Sequence, residues 1–219
     1  MEGIIYKIQP YQESSRLLFV YTPIGKLTLL AKGAQKLNQK TRVISQFLTR
    51  LSFDMPATQK TFITLKNPVV IEDYQEIKND YKMTQYAALI LEIVDKFMID
   101  IESHQMIYDE VVKALSFNDI KRSSLSFALK ILKPLGYALN LSADGSVVKG
   151  VSIQKGGLVY ENEAYSADLD TKDAISLLKL SYLPYNEHSD VLDDSIQRIE
   201  YFIKRYYEYH LHTTLKNLS

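Results

Sequence analysis

The spacing of apolar residues changes near residue 75, and this change limits the folds that the chain can adopt. Before it, apolar and β-branched residues come in short runs such as GIIYKIQ, SRLLFVYT and KLTLLAKG. After it, they recur every three or four residues over long stretches such as YKMTQYAALILEIVDKFMI. Short runs between turn residues predict strands, whereas three-to-four spacing predicts helices. We therefore expect an α+β chain with a β domain at 1–75 and a helical domain at 76–219.

The N-terminal runs predict a small closed barrel. Thr22-Pro23-Ile24-Gly25 has proline at the second turn position and predicts a hairpin from about Arg16 to Lys32. FLTRLSFDM and TQKTFITLKNPVVIEDY add further strands, with a long loop after the third strand. Five short strands within 75 residues are typical of the oligonucleotide/oligosaccharide-binding (OB) barrel.

The C-terminal part predicts helices separated by one turn-rich insert. SSLSFALKILKPLGY predicts a helix capped by Ser123 or Ser124, and DVLDDSIQRIEYFIKRYYEYHL predicts one capped by Ser189 or Asp190. HQMIYDEVVKALSF and DAISLLKLSYL predict two more helices. Glycines bracket β-prone pieces between about 140 and 167, which predicts an inserted β-hairpin element.

Positive charge is concentrated near the N terminus of a neutral chain. The 219 residues carry 26 basic and 26 acidic side chains, yet residues 1–75 hold 10 basic and 5 acidic ones. Residues 14–53 hold seven basic side chains and no carboxylate. This sorting indicates a polyanionic partner, although a merely solvated charged face would have the same composition.

Aromatic residues interleave with these cations and could stack on unpaired bases. They are Tyr6, Tyr11, Phe19, Tyr21, Phe47, Phe53 and Phe62. Strand alternation places Phe19 and Tyr21 on one face, with Leu18 and Val20 on the other. Either face could be the core.

The sequence gives little support for a catalytic function. The chain lacks cysteine, a phosphate-binding P-loop and a Gly-x-Ser-x-Gly elbow, and it has no apolar run long enough to span a membrane. His188 lies near Asp190, Asp193 and Asp194, which could hold a metal for hydrolysis, but a helix cap explains these residues without a metal. We therefore expect no enzyme and no cofactor, in a reducing cytoplasm.

The N-terminal residues resemble the RecO family of bacterial recombination mediators. The matching features are the Glu2-Gly3-Ile4-Ile5 strand start, the Tyr11, Glu13 and Arg16 turn, and a nearly continuous match from Thr22 to Ala34. The segments 133–137 and 156–159 resemble the family's Leu-Leu-Gly-Tyr and Gly-Gly segments. The resemblance extends over the whole length in the order of barrel, helices, insert and closing helix.

This resemblance implies a nucleoid-associated DNA-repair accessory without catalytic turnover. It would bind single- and double-stranded DNA, anneal complementary strands and, with RecR, help to load RecA onto DNA coated by single-strand-binding protein (SSB). The expected DNA surface comprises Arg16, Lys26, Lys32, Lys36, Lys40 and Arg42. The expected surface for the acidic, apolar-tipped SSB tail comprises Lys121, Arg122, Lys130 and Lys133.

The sequence also departs from the family pattern. Many members bind zinc through four insert cysteines, and the second pair would fall here near Tyr160 and Glu163. We therefore expect no zinc and a hairpin held by packing alone. Gln35 replaces an arginine common in the family, which removes one phosphate contact that Lys36 could offset. The alternatives are an OB nucleic-acid-binding module without mediator activity and a scaffold for an acidic protein.

Overall fold

The computed structural model describes residues 1–36, 42, 44–56, 62–99 and 103–218, and these form two compact units, Met1–Glu110 and Val111–Ser219. The strands are β1 (Glu2–Tyr11), β2 (Ser15–Thr22), β3 (Gly25–Ala31), β4 (Arg50–Ser52), β5 (Ile63–Thr64), β6 (Val69–Glu72), β7 (Val148–Ser152), β8 (Gly157–Tyr160) and β9 (Leu169–Asp170). The helices are α1 (Gln75–Lys78), α2 (Tyr81–Phe97), α3 (His104–Leu115), α4 (Ile120–Lys130), α5 (Thr171–Tyr182) and α6 (Asp193–His210), with a 3₁₀ turn at Tyr185–Glu187. The α+β class is confirmed, while the domain boundary at residue 75 stays a prediction.

The N-terminal strands form one curled sheet in the order β5-β3-β2-β1-β4-β6. The predicted hairpin is present: β2 and β3 pair from Arg16–Ala31 to Thr22–Gly25. Thr22 closes its turn, because its hydroxyl donates to Gly25 O at 2.7 Å and accepts from Ile24 N at 3.3 Å.

The last predicted strand segment, which should add one or two strands, contains two that occupy opposite ends of the sheet order. β5 pairs in parallel with β3, and β6 pairs antiparallel with β4. Asn67, with φ of 48°, and Pro68 lie between them and interrupt the strand. Because β5 and β6 are consecutive in the chain, the sheet curls until its two edges are linked, as in a partly open OB barrel.

The barrel core settles which face of β2 is internal. Leu18 and Val20 belong to a fully buried cluster with Ile5, Leu29, Leu51 and Phe53. Tyr21 points to the opposite face but is also buried, since it packs against His104 and Tyr108 of α3. Both faces of β2 are therefore covered within the N-terminal unit.

In the C-terminal unit, α4, α5 and α6 pack around a core that includes Phe127, Leu177, Phe202 and Tyr207. The Tyr207 hydroxyl donates to Ala128 O at 2.7 Å, and burial raises its pKa. Within the described residues, no helix is long and apolar enough to cross a membrane.

The insert forms a three-stranded sheet in the order β8-β7-β9. Lys155 Nζ donates to both oxygens of Glu163 at 2.5 and 2.6 Å and lies 4.8 Å from the centre of the Tyr160 ring. The prediction that packing alone holds this hairpin is therefore wrong, because an ion pair and a cation–π contact join its parts.

Two predicted helix caps are wrong. α4 begins at Ile120, where the Asp119 carboxylate accepts from Arg122 N at 3.1 Å. Ser123 lies inside the helix, and its hydroxyl donates to Ala114 O instead. α6 begins after Leu192, whose side chain cannot cap a helix, and Asp190 instead pairs with Lys179.

Candidate nucleic-acid interface

Residues 32–36 form a loop that is fastened to the β1–β2 turn at residues 12–14. Gln35 makes the connection: its backbone N donates to Ser14 O at 2.9 Å, and its Nε2 donates to Gln12 O at 3.2 Å and Ser15 O at 2.6 Å. A side-chain amide carries two N–H donors, so one glutamine can satisfy two carbonyls. The loop that follows β3 therefore has a fixed position at one end of the barrel.

This loop carries two exposed cations, Lys32 and Lys36. In the described part of the chain, neither ammonium group has a hydrogen bond or an ion pair. A solvated ammonium of this kind can approach a phosphate without first breaking an internal bond. Among the described residues of the expected DNA surface, Lys32 and Lys36 are the exposed ones.

Arg16 and Lys26 have internal bonding partners. Arg16 Nη1 donates to Ser45 O at 3.2 Å, and Lys26 Nζ donates to Asp95 O at 2.7 Å. Burial lowers the pKa of Lys26, against the opposing effect of the Asp95 carboxylate. Each side chain thus fastens a barrel strand to another segment of the N-terminal unit.

The remaining expected DNA contacts are less defined. Arg42 is half-buried, and Lys40 lies outside the described residues. Their role in DNA binding stays a prediction.

Most of the N-terminal aromatic rings are used in packing. Tyr6, Tyr21 and Phe53 are buried, and Phe19 packs against Tyr6 beneath the Lys7 ammonium group. Tyr11 and Phe62 differ: their ring centroids lie 5.9 Å apart, and Phe62 is 38% exposed. The sequence does not distinguish these two rings from the other aromatic residues, because their contact joins residues 51 positions apart and leaves no local pattern.

The cations expected to bind an SSB tail are partly engaged inside the C-terminal unit. Arg122 donates to Val191 O at 2.8 Å and forms ion pairs with Asp119 and Asp193. Lys130 Nζ donates to Leu183 O at 2.8 Å and lies 4.1 Å from the Tyr185 ring centre. Lys121 is half-buried, whereas Lys133 is exposed beyond the end of α4.

The residues considered for a metal site are not brought together. His188 is fully buried, with Nε2 3.2 Å from Leu183 O. Asp190 pairs with Lys179, and Asp193 pairs with Arg122. Among the residues with described positions, no group of three His, Asp or Glu side chains could hold an ion.

Family models match both parts of the chain. The model described as "Recombination protein O N terminal" matches residues 1–72, and "Recombination protein O C terminal" matches residues 78–219. The first match ends at the last residue of β6, and the second begins at the last residue of α1.

Individual relatives are similar to the chain at moderate identity. The DNA repair protein RecO of Clostridium acetobutylicum is 28% identical over 145 residues, which cover 64% of this chain and 58% of that protein. RecO of Bacillus mycoides is 28% identical over 141 residues, covering 62% and 56%. RecO of Exiguobacterium sibiricum is 27% identical over 194 residues, covering 83% and 77%. The first two matches span just over half the length of those relatives. Since the two family models account for nearly every residue, the chain belongs to the RecO family.

Proposed function

We propose that this protein is a DNA-repair and recombination mediator that binds single- and double-stranded DNA and anneals complementary strands. With RecR, it would help to load RecA onto SSB-coated single-stranded DNA. It would act by binding rather than by catalytic turnover. Its family and the name of its relatives, DNA repair protein RecO, support this role.

One observation carries the DNA-binding part of the proposal: Lys32 and Lys36 are exposed on a loop that Gln35 holds in place. Phosphate binding by lysine releases counterions, so affinity depends on the number of contacts and on salt. A fixed cationic loop also screens two DNA strands from one another, and this screening favours annealing.

The test is the double variant Lys32→Gln/Lys36→Gln, which removes two charges without removing Gln35. We expect oligonucleotide affinity to fall roughly tenfold in 0.1 M salt, and the slope of log K against log salt to become shallower by about 1.4 on single strands. Fluorescence anisotropy over a salt series measures both quantities. Lys82→Gln/Lys172→Gln, which neutralises two exposed lysines on α2 and α5, is the matched control. If both variants keep the parent's slope and affinity, this loop does not bind DNA.

Annealing separates the mediator from a simple nucleic-acid-binding module. The mediator should accelerate pairing of complementary strands already covered by SSB, whereas a simple binder should not. A fluorescence-quenching assay with labelled complementary strands measures this rate. The double lysine variant should anneal more slowly than the control variant, and equal rates would exclude the loop from this activity.

A further inference from the structure

The aromatic pair Tyr11–Phe62 lies outside the hydrophobic core of the barrel. Tyr11 is the last residue of β1, and Phe62 directly precedes β5. Their rings are inclined at 59° to each other with centroids 5.9 Å apart, and neither residue belongs to the buried cluster that fills the barrel. Phe62 is 38% exposed, so part of this large aromatic residue remains accessible to solvent.

The backbone joins this pair to the exposed lysines. The turn at residues 12–14 begins directly after Tyr11, and Gln35 bonds to carbonyls at Gln12 and Ser14. Gln35 is the immediate neighbour of Lys36, so the aromatic pair and the cationic loop lie at the same end of the barrel. Glu13 is exposed in the same 12–14 turn, and its negative charge disfavours a phosphate at that position.

A platform of this kind distinguishes single strands from duplexes by physical chemistry. Unpaired bases can stack on an aromatic side chain, whereas the bases of a duplex are already stacked on their neighbours. Lysine–phosphate contacts form with either type of DNA and weaken with salt. Stacking depends far less on salt because it does not release counterions.

We propose that Tyr11 and Phe62 form a stacking platform for unpaired bases, next to phosphates held by Lys32 and Lys36. This inference rests on the proposed DNA binding and adds to it a preference for single strands. Among the other N-terminal rings, Tyr6, Tyr21 and Phe53 are buried, and Phe19 packs against Tyr6 beneath the Lys7 ammonium group.

The absence of tryptophan from the chain allows a direct test. Phe62→Trp keeps an aromatic ring at the platform and introduces a single tryptophan. We expect its fluorescence to be quenched by a single-stranded oligonucleotide and to change little with a duplex of the same length. Affinity for the single strand should stay within about threefold of the parent, since the stacking surface is retained.

Loss of the rings should have the opposite effect on affinity. Tyr11→Leu/Phe62→Leu keeps apolar bulk but removes both π-faces, and should weaken single-strand binding about tenfold with an unchanged salt slope. Duplex binding should change less than twofold. Tyr11→Phe should bind like the parent, and so should Tyr81→Leu, which removes a ring that is 83% exposed on α2.

The outcomes distinguish the two proposals. Unquenched tryptophan, or parental single-strand affinity in the double leucine variant, overturns the platform while the lysine result stands independently. If the lysine variant also binds like the parent, the proposed DNA surface fails as well. Thermal unfolding of every variant checks the fold, and the tryptophan variant tests the platform even if the leucine variant is unstable.

Discussion

At the scale of single residues, Gln35 has a role that composition alone does not reveal. The sequence comparison treats it as a lost phosphate contact, because an arginine is common there in the family. In the structure its amide and backbone N–H bond to three carbonyls of residues 12–15. The glutamine therefore fixes the position of the neighbouring Lys36, which is one of the two lysines in the proposed DNA surface.

Gly3 shows why one residue of the family signature has no side chain. A Cβ atom at this position would lie 2.3 Å from Val20 Cγ1 and 2.9 Å from Thr22 Cγ2, closer than packed carbon atoms approach. We expect Gly3→Ala to destabilise the protein by about 1–3 kcal/mol, because β1 must move away from β2. Urea unfolding measures this change, with Gln9→Ala at an exposed β1 position as control. Equal stability of the two variants would contradict the close approach.

At the scale of elements, the connection between α5 and α6 depends on cations that the sequence assigned to a partner surface. Lys130 bonds to Leu183 O, and Arg122 bonds to Val191 O near the start of α6. Hydrogen bonds from charged donors to buried carbonyls contribute more than neutral ones. Replacing either residue would therefore disturb folding together with any SSB contact, whereas Lys133 permits a cleaner test of that contact.

The same connection contains a buried histidine that should make stability depend on pH. Burial lowers the pKa of His188, and the charges of Lys130 and Arg122 lower it further, while the hydrogen bond to Leu183 O and the Asp119 carboxylate oppose this shift. The unfolded chain therefore protonates this imidazole near pH 6.5, whereas the folded chain protonates it only at lower pH. Stability is complete above pH 6.5 and falls as pH drops below it towards the folded pKa, by at most about 1.4 kcal/mol per pH unit.

His188→Gln keeps an N–H donor for Leu183 O and does not titrate. The decrease in unfolding free energy between pH 7.5 and 5.5 should be smaller in this variant than in the parent. Urea unfolding at several pH values measures it, and His212→Gln serves as a control at an exposed histidine. Parallel pH profiles for the parent and His188→Gln would exclude this residue as the source.

At the scale of the whole molecule, the sequence predicts the order of strands and helices because apolar spacing reports which face of each element is buried. It could not choose the core face of β2, since Leu18 faces the barrel interior and Tyr21 is covered by α3. The charge pattern identifies the basic segment, but it does not show which of its cations form internal hydrogen bonds. That choice depends on carbonyls distant in sequence, such as Asp95 for Lys26.

The short pairing between β5 and β3 has a consequence for how the barrel opens. β5 pairs with β3 at two residues, and one further hydrogen bond joins Leu65 N to Leu30 O at 3.0 Å. The β1–β2 ladder extends from Ile4 to Tyr11.

Amide hydrogens at the short β3–β5 pairing should therefore exchange with solvent deuterium faster than those in the middle of β1 and β2, through local opening rather than global unfolding. Mass spectrometry of exchanged peptides would show this order, and equal protection of both regions would mean that the barrel opens only as a unit. Because Phe62 directly precedes β5, single-stranded DNA bound at the proposed platform should slow amide exchange at the β3–β5 pairing.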